Sequence, residues 1–476
     1  MTSGTQPDQL GRPHTTELAQ FIKTIQFDEL SSKVIQIIKH CILDSIGTAV
    51  AGSTTPASRM VRQVVAGRSS IQGESTIIGG GRKISCVDAA LLNSTSAHSI
   101  EMDDFHNKGG VHPAVAVIPA ALSVAEKHQS SGSELLAAVL VGYEAMCRVG
   151  IATCVGQLER GFHPTATCGV FGAAAAAGRL WNLDISALAN AFGIAGSFAG
   201  GLREWKAAGA LTKPLQVGRA SQNGVLATIL ASVGYTGPTT VIEGEMGFCR
   251  AYAYGSEGSL AEAFAELGQV FEIEHISFKP FASCRHTHPA IDGVLQLKVQ
   301  QNFEIGEIED ILVKITKEMY RGVMWPEARK YKPETVTDAQ FSLPYCVSAA
   351  LSRGNVLLTE FTQESISDPK LLELAGRVRA VVSPECEEVY PQLLRQIVEI
   401  TLSNGKQYVR HVDYCKGEPE NPMTKEEFEE KFIKLAAPVI GASQADRVVE
   451  IIDTLETQKK LDELYTLLAG DASTEG

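Results

Sequence analysis

The chain has 476 residues, 44% hydrophobic and 20% charged, with a formal net charge of −13. That length exceeds one ordinary core, so two domains are expected. The acidic balance, with a pI of about 5.4, argues against nucleic acid or an anionic membrane as partner. An anionic small substrate would need locally gathered positive charge.

The N-terminus, MTSGTQPDQLGRPHTT, is polar and has no apolar signal core, and the final ASTEG carries no recognisable address. The ten cysteines (Cys41, Cys86, Cys147, Cys154, Cys168, Cys249, Cys284, Cys346, Cys386 and Cys415) include no C-x-x-C pair. Reduced thiols and a cytoplasmic location are therefore expected, with mitochondria as the alternative. Apolar runs such as Cys168–Gly178 are short and rich in Gly and Ala, which predicts tightly packed buried helices and no membrane span.

In chain order, Ser31–Val50 places Val34, Ile37, Ile38, Cys41, Ile42 and Ile46 on one stripe, the mark of a core-facing helix. Ser75–Gly79 is a short strand candidate, and the glycines that follow it form a turn. Ser133 precedes an apolar helix as a cap. Thr165–Leu180, Ile185–Ala199 and Gln216–Val233 read as helices packed at close distance. From about Glu272 the character changes. Phe271–Phe278 is strand-like, a helix starts near His288, and Glu309–Ile315 alternates as a strand. Ile397–Leu402 and Tyr408–Tyr414 flank Asn404-Gly405, a strong hairpin signal. After Lys416–Pro422, amphipathic helices run to about Leu468. The fold class is mainly α: a large helical domain (1–270 and 418–476) interrupted by a smaller α+β domain (271–417).

Four segments carry the chemistry. Ala97–Pro113, A-H-S-I-E-M-D-D-F-H-N-K-G-G-V-H-P, sets His98, His106 and His112 with Glu101, Asp103 and Asp104 between apolar stretches. Ionisable groups in such a setting are costly to bury unless they pair or react. If the segment is helical, His98, Glu101 and Phe105 share a face. It can supply a general acid/base with substrate anchors, a capped helix end with a solvated acidic turn, or a divalent cation site on Asp103, Asp104, His106 and His112. The second segment is Gly161–Thr167, where His163 precedes Pro164 at a Thr-rich helix start. The third is Leu211–Leu215, with Lys213 in an apolar context. The fourth is Phe278–Pro289, which crowds Lys279, Arg285, His286 and His288 together in an acidic protein. Taken one at a time, His163 is ordinarily a satisfied core histidine and Lys213 a surface lysine. Cys284 beside His286 offers a less favoured nucleophile. No nucleotide or G-x-S-x-G signature is present. Together the segments suit a small polycarboxylate, with cations holding its carboxylates and a base moving a proton beside one of them.

These same stretches, H-S-I-E-M-D-D-F-H…H-P-A-V-A-V-I-P-A-A-L, G-F-H-P-T-A-T-C-G-V-F-G, T-K-P-L-Q-V-G-R-A-S-Q-N-G and F-K-P-F-A-S-C-R-H-T-H-P, resemble the MmgE/PrpD family from about residue 15 to 470. That family includes 2-methylcitrate dehydratase, cis-aconitate decarboxylase and iminodisuccinate epimerase. The resemblance implies a homodimer, an α+β lid inserted into a helical domain, and a site between them without metal or organic cofactor. It implies catalytic roles for His112, His163, Lys213 and Lys279, with Asp104 as an orienting carboxylate. Glu101, Phe105, His106, Arg285 and His286 are then the substrate-binding set. Glu101 and Phe105 stand where the decarboxylase motif has Asp and Thr.

The dehydratase block N-D-T-W-L-A-A-E-W-G-H-P-S-D-N is absent. D-D-F-H resembles the D-D-Y-H of fungal decarboxylases, whereas H-P-T-x-T-x-G-V-F-G resembles the epimerase. The leading expectation is a cofactor-independent lyase that takes a small di- or tricarboxylate, dehydrating a 2-methylcitrate- or alkylcitrate-like hydroxy-tricarboxylate. Decarboxylation of cis-aconitate is the alternative, followed by epimerisation of a small dicarboxylate or a non-catalytic binding role.

Overall fold

Ser31 caps the first long helix, Ser32–Gly52, by accepting the Val34 N–H at 3.2 Å. Its expected stripe is buried through Val34, Ile38, Cys41, Ile42 and Ile46, with Ile37 half-buried. The computed structural model describes residues 13–66, 73–253 and 260–470. The polar N-terminal segment up to Arg12 and the last residues, Asp471–Gly476, on which the reading of location rests, lie outside them.

Helices Cys86–Ala97, Pro113–His128, Gly132–Glu159, Pro164–Leu180, Ile185–Ser197 and Thr212–Ser232 build the first core. Their small residues set how closely they approach. A Cβ on Gly142 would lie 2.4 Å from Val117, one on Gly172 2.8 Å from Met146, and one on Gly224 2.5 Å from Ala173. Any side chain there would force these helices apart. Gly132–Glu159 starts two residues earlier than the Ser133 cap suggested. Ser131 accepts the Glu134 N–H at 3.3 Å while the Glu134 carboxylate accepts the Ser131 N–H at 2.7 Å. Ser32–Gly52 and Gly132–Glu159 are long and apolar enough to cross a membrane, yet most of each is buried in this core.

Strand β1 (Ser75–Thr76) pairs antiparallel with β2 (Lys83–Ile84) around the glycine turn, where Gly79 and Gly81 take positive φ. Two expectations need correction. Residues 98–106 are not helical: the helix ends at Ala97, Glu101 adopts a left-handed φ of +56°, and Phe105–His106 forms β3. A helix face would spread these ionisable groups along its axis, whereas the irregular loop sends Glu101 to the cavity wall and Asp103 to His112 beside it. Phe271–Phe278 is only partly extended. A tight turn over Glu272–His275 leads into β4 (Ile276–Ser277), which pairs with β3, Phe105 opposite Ser277.

The other strands form one mixed sheet, ordered β6-β5-β7-β8. They are β5 (Ile308–Ile315), β6 (Val378–Val382), β7 (Gln396–Leu402) and β8 (Gln407–Val412). The β5–β6 pair is parallel, and the β7–β8 hairpin turns at Gly405 with a φ of +82°. Helices His288–Gln301 and Leu343–Arg353 share a second core with this sheet. Helices Lys425–Ile440, Ala442–Asp453 and Asp462–Ala469 return to the first core, where a Cβ on Gly47 would lie 3.1 Å from Phe432. All ten cysteines are free thiols. The loop after Ala97 joins the two cores: Ala97 and Val111 pack in the first, Ile100 and Met102 in the second. Its charged side chains are thereby carried to the junction.

Candidate active site

His112 and His163 occupy equivalent places. Each is the extended residue before a buried helix, with Pro113 or Pro164 in its first turn. Proline fixes the helix entry and presses the preceding residue into extended backbone, with φ/ψ of −106°/90° at His112 and −101°/96° at His163. The His112 N–H donates to Thr165 Oγ1 at 3.2 Å, linking the two helix starts. Both rings therefore stand at the positive ends of helix dipoles and border one cavity of about 360 Å³.

Behind His112 sits Asp103. Its Oδ2 lies 2.8 Å from His112 Nδ1 and 3.0 Å from His98 Nδ1, and its Oδ1 lies 3.6 Å from Lys279 Nζ. His112 Nδ1 also faces the Asp104 carbonyl at 2.6 Å. Two acceptors around Nδ1 put its proton there and leave Nε2 as a bare lone pair. His163 has the same tautomer. Gln216 Nε2 donates to the Leu202 carbonyl at 2.9 Å, so Gln216 Oε1 is the acceptor 3.0 Å from His163 Nδ1. The His98 ring stacks beside His163 with centroids 5.9 Å apart and planes 17° apart.

Glu101 fills the space between the lysines. Its carboxylate pairs with Lys213 and stands 3.4 Å from Lys279 Nζ. Burial works against the charged carboxylate, but Lys213 and Lys279 outweigh it and hold Glu101 at about 2. Asp103 is likewise held well below the carboxylate range, against burial, by Lys279, His98 and His112. Burial lowers Lys279 less than Asp103 and Glu101 raise it. For the histidines burial wins: His112 falls to about 4 despite Asp103, and His163 falls further, helped by His98 and Lys213. The site thus holds neutral imidazoles beside a charged Lys279 and charged carboxylates. Lys279 is fully buried, so Lys279→Ala leaves two buried carboxylates short of a counter-ion. A loss of about 3–5 kcal/mol is expected, read as a fall in unfolding free energy by denaturant titration.

Most residues singled out from sequence meet here. Glu101, Phe105, His112, His163, Lys213, Lys279, Arg285 and His286 all border the cavity. Phe105 packs on His112 with ring centroids 4.9 Å apart. Arg285 is less available than expected, because its guanidinium pairs with Glu418.

Two assignments are corrected. The Asp104 carboxylate turns away, accepting Tyr143 Oη–H at 2.8 Å and the Ala114 N–H at 3.0 Å; the carboxylate that orients His112 is Asp103. His106 is spent on structure. Its Nδ1 accepts the Gly109 N–H at 3.0 Å, and its Nε2 donates to Glu272 at 3.1 Å. These commitments also keep Asp104 and His106 from converging with Asp103 and His112 on one cation.

Sequence reasoning missed Gln216, although it follows Lys213 by one helical turn in T-K-P-L-Q. It also missed Trp205 and Phe341, whose rings lie 5.6 and 5.1 Å from the Lys213 ammonium, and Lys206 and Arg203 at the far end of the cavity. No motif marks these four.

A helical body, a mixed-sheet unit and a cavity of histidines and lysines, neither imidazole Nε2 having a protein partner among the described residues, form an arrangement suited to acid/base chemistry beside anionic groups. The chain belongs to the MmgE/PrpD family, matching its N-terminal domain over residues 16–260 and its C-terminal domain over residues 281–457. It is 28% identical to cis-aconitate decarboxylase-like protein oryM of Aspergillus oryzae, over 96% of this chain and 97% of that protein. It is 28% identical to the cis-aconitate decarboxylase of Homo sapiens, over 97% and 95% of the two chains. With the cis-aconitate decarboxylase of Aspergillus terreus the identity is 27%, over 95% of each. It is thus an MmgE/PrpD family enzyme whose curated relatives of this kind are decarboxylases.

Proposed function

We propose that this protein is a carboxy-lyase that decarboxylates cis-aconitate or a closely related unsaturated tricarboxylate. The observation that carries the reading is the cavity itself, where the Nε2 atoms of His112 and His163, without a protein partner among the described residues, share a lining with Lys213 and Lys279. The choice of decarboxylation over the dehydration first expected rests on the names of the full-length relatives. Lys213 and Lys279 hold carboxylates. The bond to one carboxylate breaks and CO2 leaves. The electron pair spreads over the neighbouring carbons, and a histidine delivers one proton to end the reaction.

Burial keeps both imidazoles neutral, so that proton must arrive with the substrate. A bound polyanion favours imidazolium, reversing part of the depression that burial and the lysines impose. The sign of the pH dependence follows. If imidazolium of His112 is the required form, kcat/KM falls about tenfold per pH unit above about 4; if His163 is the acid, the fall has the same sign, burial having lowered that imidazole too.

Dehydration of a 2-methylcitrate-like substrate is the second reading, favoured by the bare Nε2 lone pairs, which suit proton abstraction. A neutral base gives a level kcat/KM over the same range. Assaying purified protein with cis-aconitate and with 2-methylcitrate, following CO2 and unsaturated product against pH, separates the two. Water loss from 2-methylcitrate without CO2 from cis-aconitate overturns the primary reading.

A further inference from the structure

The cavity has a second charged end that the proton-transfer chemistry does not use. Lys206, in the short helix Trp205–Ala208, borders the cavity with Arg203, His286 and Glu318. Arg203 is already matched, its guanidinium 3.0 Å from Glu318. Among the described residues no carboxylate pairs with Lys206, whose ammonium instead lies 5.6 Å from the centre of the Phe341 ring. Lys213 lies against the same ring at 5.1 Å, so Phe341 spaces the two lysines.

Beside Lys206, His286 Nδ1 is buried without a hydrogen-bond partner. It and the Lys206 ammonium converge on the bare face of Gly322, where a Cβ would lie 2.9 Å from Nδ1 and 3.5 Å from Nζ. An ammonium on that side favours the lone pair on Nδ1 and the proton on Nε2 of the same ring. Burial and the Arg203 guanidinium hold Lys206 down at about 7, Glu318 offsetting only part of this. The lysines differ in one respect: Lys213 and Lys279 have Glu101 as counter-ion, whereas no carboxylate among the described residues pairs with Lys206.

We propose that Lys206, with His286 beside it, forms a second anion subsite that receives a substrate carboxylate remote from the bond that breaks. This rests on the reading of the cavity as a polycarboxylate site, and it makes Lys206 a specificity-determining residue with no part in proton transfer. The substrate it selects carries one carboxylate in reach of Lys213 and Lys279 and another in reach of Lys206.

The test is a binding cycle by titration calorimetry. Its probes are tricarballylate, glutarate (which lacks the central carboxylate) and methylsuccinate (which lacks a terminal one). Wild-type protein should bind tricarballylate about tenfold or more tightly than at least one of the two dicarboxylates. Lys206→Met, which keeps the apolar stem, should lose that discrimination and Lys206→Arg should restore most of it. A Lys206→Met protein that discriminates as wild type does, or that weakens all three probes equally, overturns the subsite. Wild-type protein that turns over cis-aconitate yet binds the three probes alike overturns the subsite alone. Wild-type protein that binds none of them overturns the polycarboxylate reading along with it.

Discussion

Alanine in place of His163 is expected to lower kcat on cis-aconitate by about 10²–10⁴-fold while changing KM little. The ring is fixed by Gln216 at 3.0 Å and by its position before Pro164, and among the described residues no protein group pairs with its Nε2. Removing it deletes the proton donor without unpairing a buried charge, since burial keeps this imidazole neutral. Fold stability should therefore change far less than activity. Steady-state kinetics with a thermal melt of the same variant separates the two effects. Normal turnover in His163→Ala removes this residue from the mechanism and leaves His112 as the acid.

The second large effect is expected at Asp103, a positioning residue. Its Oδ2 receives both His112 Nδ1 and His98 Nδ1, and its other oxygen faces Lys279. In Asp103→Asn only one of two acceptors remains. With that oxygen where Oδ2 stands, both histidines keep an acceptor but the amide N–H2 faces the Lys279 ammonium; flipped, it faces both imidazole N–H groups, and either way the negative charge is lost. Loss of orientation at the acid/base ring is expected to lower kcat by about 10²-fold or more. Asp103 also raises the His112 pKa against burial, so the variant's His112 titration should move below about 4. A purely structural role would weaken the fold without moving that titration. Imidazole carbon-13 or nitrogen-15 shifts followed against pH in wild type and variant provide the measurement.

Much of this architecture is legible in residue pattern. The stripe from Val34 to Ile46, the Asn404-Gly405 hairpin and the helices after Pro422 follow local rules of periodicity and turn chemistry, and each is present in the fold. Helical spacing can be traced through residues 98–106, but tertiary pairing decides their shape and the conditional helix is not formed. Glu101 is held in a left-handed turn by partners more than a hundred positions away, Lys213 and Lys279. The same long-range pairing explains the choice between Asp103 and Asp104. Adjacent carboxylates look equivalent in sequence, but the backbone sends one to the histidines and the other to Tyr143. Lys206 was invisible for a related reason: nothing near it in the chain shows that the Phe341 ring and His286 lie beside it.

The central claim is that this cavity breaks a carbon–carbon bond to a carboxylate and ends the reaction with a proton from histidine. Its most direct test is carbon-13 NMR of wild-type protein incubated with uniformly labelled cis-aconitate in D2O. The account predicts labelled CO2 and, in equal amount, a five-carbon unsaturated dicarboxylate carrying one deuterium. Recovery of all six labelled carbons in one molecule, whether unchanged, hydrated or isomerised, would contradict it.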